Sequence, residues 1–352
     1  MAAVGSAETT VRARGIPRPW GLLAGAFLVG SVLVGLGVGP IGIGAGAIVE
    51  SALSHLPFLH VHDPLSSIDD AILWQIRAPR VVLAAIVGGM LAVAGSSYQG
   101  VFHNPLADPY LLGVAAGAGL GATLAIAYGH VGHSGQLLPL SAFLGGLVAV
   151  AATYVLGRSA GSVRVAGSFV LAGVTVTLFL TAIQTFVQQQ HTDTLRDVYS
   201  WILGGFSTAT WGQVEVASPY IGVSALAIVL HRRLLDVLSV GDDEAATLGV
   251  NVARLRLVLV IAATAGTAAA VAVSGLIAFV GIIVPHTIRL FVSTSYRAVV
   301  PLSLVVGAGF LVLTDVLART IVSPEELPIG VVTAFFGAPF FALVLRSSRT
   351  MR

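Results

Sequence analysis

The sequence predicts an all-α, polytopic membrane protein with about ten transmembrane helices, the count set by runs near the ~20 residues that span a bilayer. Three observations carry this expectation. Hydrophobic residues make up 56% of the 352 and charged residues only 10%, whereas a soluble domain needs about a quarter charged residues to cover its surface. Apolar runs of spanning length recur along the chain. Arginines collect in alternate loops between those runs, the asymmetry that fixes membrane topology.

The runs follow in order. Trp20–Val38 comes after Arg12, Arg14 and Arg18 and resembles a signal peptide, but it is long for such an apolar core, so an uncleaved first span is expected. Then come Val81–Val101, Leu111–Tyr128, Leu137–Leu156 and Val165–Val187, a short run at Ser218–Leu230, and Leu255–Val273, Leu276–Leu290, Val299–Leu317 and Ile329–Leu345. Tyr199–Phe206 is too brief to cross and reads as a re-entrant or surface helix. One permease domain is expected over residues 20–346, with tails at 1–19 and 347–352. If the N-terminus is inside, inner segments hold Arg158, Arg164, Arg232, Arg233, Arg254, Arg297, Arg346, Arg349 and Arg352, with one acidic patch near residue 242. Outer loops then hold Glu50, Asp63, Asp69, Asp70, Asp193, Asp197, Glu325 and Glu326. Both termini are therefore expected in the cytoplasm.

Composition also excludes functions. There is no Cys, so neither disulfides nor thiolate metal sites can form. Every one of the 18 basic residues is Arg. A P-loop needs Lys to reach nucleotide phosphates, so the chain is not itself a P-loop ATPase. The net charge of +2 is spread over segment ends and forms no basic stripe, so no nucleic-acid partner is expected.

Glycine is frequent, 41 residues, and Gly113, Gly117, Gly119 and Gly121 on one run read as close helix-packing positions. A faint repeat relates Ala92-Val93-x-Gly95 with Pro105 to Ala272-Val273-x-Gly275 with Pro285, as two related halves would give. His103-Asn104-Pro105-Leu106-Ala107-Asp108-Pro109 places an Asx before each proline and predicts a rigid turn. Gly241-Asp242-Asp243-Glu244-Ala245-Ala246-Thr247-Leu248-Gly249 lies in the longest inner loop. Its acidic start and closing glycine predict a short capped helix outside the membrane, facing a partner or only solvent. Pro285-His286-x-x-Arg289 sits near the inner end of a span, and the remaining histidines lack metal-ligand spacing. Among intramembrane charges, Asp315 and Arg319 are one turn apart and can pair. No chain of buried carboxylates suggests a proton relay, which weighs against a proton-coupled secondary transporter.

These motifs, taken in order, resemble the iron-chelate, haem and cobalamin permease family of type II ABC importers. The resemblance rests on Arg77-Ala78-Pro79-Arg80, Asn104 to Pro109 with Leu112-Gly113, Trp201-x-x-Gly204-Gly205-Phe206, Gly241 to Gly249, Gly281-x-x-x-Pro285-His286-x-x-Arg289, and Glu326 to Gly330 through Gly337-Ala338-Pro339. It covers residues 70 to 345. It implies a permease of ten spans working as a homodimer in a bacterial or archaeal cell membrane, without a cofactor. Two ATP-binding ABC subunits would grip Asp242, Asp243, Glu244, Ala245, Ala246, Leu248 and Gly249. An extracytoplasmic binding protein would present carboxylates to Arg77, Arg80 and Arg319. Asn104, Pro105, Asp108 and Pro109 would form the family's turn, and an inner gate would fall at Ala166, Gly167 and Ser168, more apolar here than the hydroxyl-rich gate of the cobalamin member. The expected cargo is an iron complex (ferric siderophore or haem), with cobalamin the alternative.

Overall fold

The structure, a computed structural model, describes residues 15–55, 64–129, 136–159 and 165–350. Helix α1 (Arg18–Gly37) opens with Pro19 in its first turn, where a missing N–H costs nothing. A short α2 (Ala45–Ser54) follows. Helix α3 (Ser67–Ala71) runs through a π-helical turn, Ile72–Arg77, straight into α4 (Ala78–Val101). Pro79 explains the turn. It has no N–H for the carbonyl four residues back, and the Ala78 N–H bonds the Leu73 carbonyl instead.

Helix α4 is buried along almost its whole length and packs against α9 (Trp211–Leu238), α11 (Val252–Ser274), α12 (Val280–Phe291) and α13 (Tyr296–Thr320). Around this post stand α5 (Val114–Tyr128), α6 (Leu137–Ser159), α7 (Val165–Gln190) and α14 (Ile329–Thr350). The brief α8 (Leu195–Leu203) and α10 (Asp242–Thr247) lie in loops. Among the described residues, six helices are long and apolar enough to cross a membrane. Helices α5, α9, α12 and α14 complete ten crossings at the places the hydropathy predicts. Apolar side chains on the outer helices stay exposed, among them Val148, Val155, Leu178 and Phe179, as they would against lipid.

Glycine sets the spacing. An added Cβ at Gly117 would overlap the Gly145 carbonyl of α6, and one at Gly121 the Ser141 carbonyl. Gly119 faces Gln184 of α7 instead, and Gly113 is a left-handed cap at φ +83°.

The structure corrects three expectations. Helix α9 runs well beyond Ser218–Leu230. A Thr210–Gln213 capping box starts it early, and polar residues at both ends hid its length. The Leu276–Leu290 span is helical only from Val280: residues 275–279 are non-helical, with Phe279 in the left-handed region at φ +69°. Twelve helical residues reach about 18 Å, short of a ~30 Å hydrocarbon core, so this crossing is a broken helix. Its freed backbone is satisfied from within, as lipid requires. Tyr110 Oη accepts from the Ile277 N–H (3.1 Å) and donates to the Ile277 carbonyl (3.0 Å). The Ala92/Ala272 repeat has no structural counterpart, since Gly95 is mid-helix whereas Gly275 caps α11 at φ +67°.

Candidate functional site

The charged groups divide the bundle into two ends. One carries Arg158, Arg232, Arg254 and Arg297; the other carries Asp69, Asp193, Asp197 and Glu326.

At the acid-rich end, α1, α4 and α13 converge on a cluster of charge. Arg80 Nε and Nη2 donate to Asp315 at 2.8 to 3.0 Å, and Nη1 and Nη2 donate to the two oxygens of Glu326 at 2.8 and 3.0 Å. Arg319 Nε lies 3.6 Å from Asp315, the predicted i,i+4 pair, and its Nη2 donates to the Gly35 carbonyl at 2.5 Å. Arg77 donates to the carbonyls of Leu36, Gly37 and Ile41. Gly39 gives it room, because an added Cβ there would fall 2.9 Å from the guanidinium carbon. The structure thus brings Arg77, Arg80 and Arg319 together, as the sequence predicts, but not as free rim charges. Arg77 is 4% exposed and Arg80 9%, and both guanidiniums are hydrogen-bonded within the chain, while Arg319 Nε is buried without a hydrogen-bond partner. Sequence reasoning missed Asp315 and Glu326 as Arg80's partners, and no local signal marks a pair 235 positions apart. Arg80 and Glu326 also line a cleft of about 700 Å³ with Asp197, Trp201 and Gly204–Thr208.

At the Arg-rich end, α10 is the helix the sequence predicts. Asp242, Asp243 and Glu244 occupy its first turn, where acidic groups favour the positive end of the helix dipole. Gly249, at φ +81°, closes it. The Gly249 N–H bonds Ala246 O and the Val250 N–H bonds Ala245 O, a Schellman cap. Ala245 is buried and seats the helix, while Leu248 is 69% exposed beyond the span ends. Asp242 accepts two 3.0 Å bonds from Arg256 of α11, tying α10 to a crossing helix.

The turn after α4 is built as its Asx–Pro pattern predicts. Asn104 Oδ1 accepts from the Leu106 N–H (3.0 Å), and Asp108 Oδ1 accepts from the Tyr110 N–H (2.8 Å). Two motifs that look separate in sequence meet here. Gln99 Nε2 donates to the Gly281 carbonyl (2.9 Å), Arg289 Nη1 donates to Gln99 Oε1 (2.5 Å), and an added Cβ at Gly281 would press on Pro109. The turn therefore locks α4 to the broken helix α12. His286 of α12 stands edge-on to Phe340 at 5.8 Å. Gly167 lies beside Asn104 in a shallow cleft at the start of α7, and Ser168 follows on the same helix, partly buried. The side chain of Ala166 lies outside the described residues, as do His60, His62, His130, His133 and Arg164. Among the described histidines, His55 packs against Trp74 and His191 against Tyr128. No three described His, Asp or Glu residues are grouped to hold a metal ion.

Residues 27–347 match the FecCD transport family. The chain belongs to that family. It is 38% identical over 325 residues to the uncharacterized ABC transporter permease protein YvrB of Bacillus subtilis, covering 91% of each. It is 35% identical to the cobalamin import system permease protein BtuC of Halobacterium salinarum, covering 93% of this chain and 95% of that one. A solved metal-chelate type ABC transporter in an inward-facing conformation superposes with a TM-score of 0.81 at 28% identity, over 94% of this chain and 99% of that chain. The chain is thus a multi-pass ABC transporter permease.

Proposed function

We propose that this permease, a single unit over residues 20–346, forms a homodimer that imports a metal chelate using ATP hydrolysed by two ABC subunits. The observation that carries the reading is α10. A capped helix outside the crossings, with Leu248 69% exposed and its first residue tied to α11, suits transmission of force from a partner into the bundle. The Arg-rich end would face the cytoplasm with both termini, so the ABC subunits would grip Asp242 to Gly249 there. The extracytoplasmic binding protein would dock on the acid-rich end, over Arg77, Arg80 and Arg319 and the half-exposed Glu326. Asn104 to Pro109 would hold the inner end of the pathway beside a gate at Ala166, Gly167 and Ser168.

An iron complex, ferric siderophore or haem, is the proposed cargo, because iron complexes are the broadest cargo class of the family; the motifs themselves are shared with its cobalamin members. Cobalamin is the second reading, favoured by the Halobacterium relative. The test is reconstitution with the cognate ABC subunits and binding protein in proteoliposomes. ATP-dependent uptake of labelled ferric siderophore or haem is the expected result. Uptake of cobalamin alone selects the second reading, and uptake driven by an ion gradient without ABC subunits overturns both.

A further inference from the structure

A cavity of about 940 Å³ opens at the Arg-rich end between α6, α11 and the start of α7, and apart from Asp242 at its mouth the transport reading gives its lining no role. Its deep wall is apolar, made by Leu112, Val150, Phe169, Leu257 and Val260. Its mouth is not: Arg158, Arg254 and Arg256 line it, with Asp242 the one carboxylate. Asp242 is committed to Arg256, and Arg256 Nε is buried without a hydrogen-bond partner. No described carboxylate pairs with Arg158 or Arg254. Arg158 instead sits 5.8 Å over the Tyr154 ring, which stacks on Phe169 at 5.7 Å. Gly157 makes that stacking possible, since a Cβ there would lie 2.6 Å from Phe169.

We propose that this cavity is a binding site for one anionic phospholipid of the leaflet at the Arg-rich face. The phosphodiester would sit between Arg158 and Arg254, the fork-shaped donors that suit phosphate oxygens, with an acyl chain along the apolar wall. Dimensions agree. Val150 lies eight residues before Arg158 on α6, and Val260 six residues after Arg254 on α11, so the apolar wall runs about 9–12 Å below the guanidiniums at ~1.5 Å per residue. Basic pockets between crossing helices on the cytoplasmic side take anionic headgroups in this way. A free phosphate would use the arginines but not the wall. A zwitterionic lipid would use the wall but leave two guanidiniums poorly matched. The site adjoins the coupling helix, because Asp242 is both the first residue of α10 and part of the mouth.

The test is native mass measurement of the full chain after detergent exchange, loaded with phosphatidylglycerol or phosphatidylcholine. One phosphatidylglycerol should be retained, and phosphatidylcholine should not. Arg158→Gln with Arg254→Gln should weaken retention about 25-fold, at about fivefold per arginine. Val260→Trp, which fills the wall and leaves the charges, should also abolish it. Arg232→Gln with Arg233→Gln, outside the cavity, should change nothing. Thermal melting of each variant confirms folding. Four outcomes overturn the proposal: equal retention of both lipids, unchanged retention in the double mutant, full displacement by inorganic phosphate, or loss of the lipid when the ABC subunits assemble. The last would make the cavity part of that protein interface. Because binding is read directly, failure here leaves the import reading standing, and failure of import leaves this result intact.

Discussion

Arg80 and Asp315, 235 positions apart, are joined by three hydrogen bonds of 2.8 to 3.0 Å across α4 and α13, with the Asp315 side chain 1% exposed. A carboxylate so deep is tolerable only while it is paired, because removing one partner strands the other's charge. Asp315→Ala is expected to cost about 3–5 kcal/mol, and Arg80→Ala a similar amount. Glu326→Gln should cost less than about 1 kcal/mol, its side chain being 40% exposed. Replacing the inner pair together, Arg80→Met with Asp315→Leu, should recover only part of the loss, because Arg319, 8% exposed, is left without its carboxylate. Chemical or thermal unfolding in detergent measures all four. A mild effect of Asp315→Ala would show that the pair contributes little.

That pair also marks how far the sequence could be read. Ten crossings, a short non-spanning helix near Tyr199–Phe206, which the structure places at Leu195–Leu203, and the capped helix at 242–247 were legible because hydropathy, caps and charge are local signals. Asp315 with Arg319 was legible because i,i+4 is local too. Arg80 with Asp315 was not, nor was Gln99 as the joint between the Asn104–Pro109 turn and Gly281. Each depends on which helices pack together, and in an Ala/Val/Gly-rich chain hydropathy does not encode that. Exposure failed for the same reason. An arginine near a span end reads as a rim charge until the carbonyls of Leu36, Gly37 and Ile41 are known to meet it. The break at 275–279 was hidden because an apolar non-helical segment has the hydropathy of a helix.

The coupling reading makes α10 sensitive in two separable ways. Leu248→Asp and Glu244→Arg change its exposed surface without touching the Ala245 seat. Both should abolish co-purification of the ABC subunits and ATP-driven uptake, while expression and melting stay near wild type. Gly249→Ala acts differently, forcing a side chain into φ +81° at a cost of about 1–2 kcal/mol. It should loosen the cap and weaken association partially. Normal association in both surface variants would remove α10 from the interface.

Close helix approach gives a third expectation. An added Cβ at Gly95 would overlap the Gly281 carbonyl, backbone that cannot move aside as a side chain can, whereas one at Gly30 meets nothing within 4 Å. Gly95→Ala should separate α4 from α12, break the Gln99–Gly281 bond and cost about 3 kcal/mol or more, the upper range for overpacking. Gly30→Ala, by contrast, should be neutral or slightly stabilising, since Gly is a poor helix former. Unfolding midpoints of the two variants test the contrast, and equal midpoints would mean the α4–α12 contact is not tight.

Docking from outside must be reconsidered around the paired arginines. Free guanidiniums at a rim would chiefly set the encounter rate and its salt dependence. Here Arg77 and Arg80 are consumed by three backbone carbonyls and two carboxylates, so reversing both charges attacks the fold first. Arg77→Glu with Arg80→Glu should therefore lower expression and melting sharply, and no association rate measured on it would report on docking alone. Glu326 is the informative position. It holds the solvent-facing side of Arg80, so a carboxylate from the binding protein could reach that guanidinium only by taking Glu326's place. Glu326→Gln weakens the internal competitor while keeping its shape. Its association with the binding protein should be faster at low salt, with a steeper decline as salt rises, since one opposing negative charge is gone. Association rates at two ionic strengths, for wild type and Glu326→Gln in nanodiscs, decide the matter. An unchanged rate and slope would mean that the binding protein's carboxylates do not approach Arg80, and that the cluster serves only to hold α4, α13 and the 321–328 loop together.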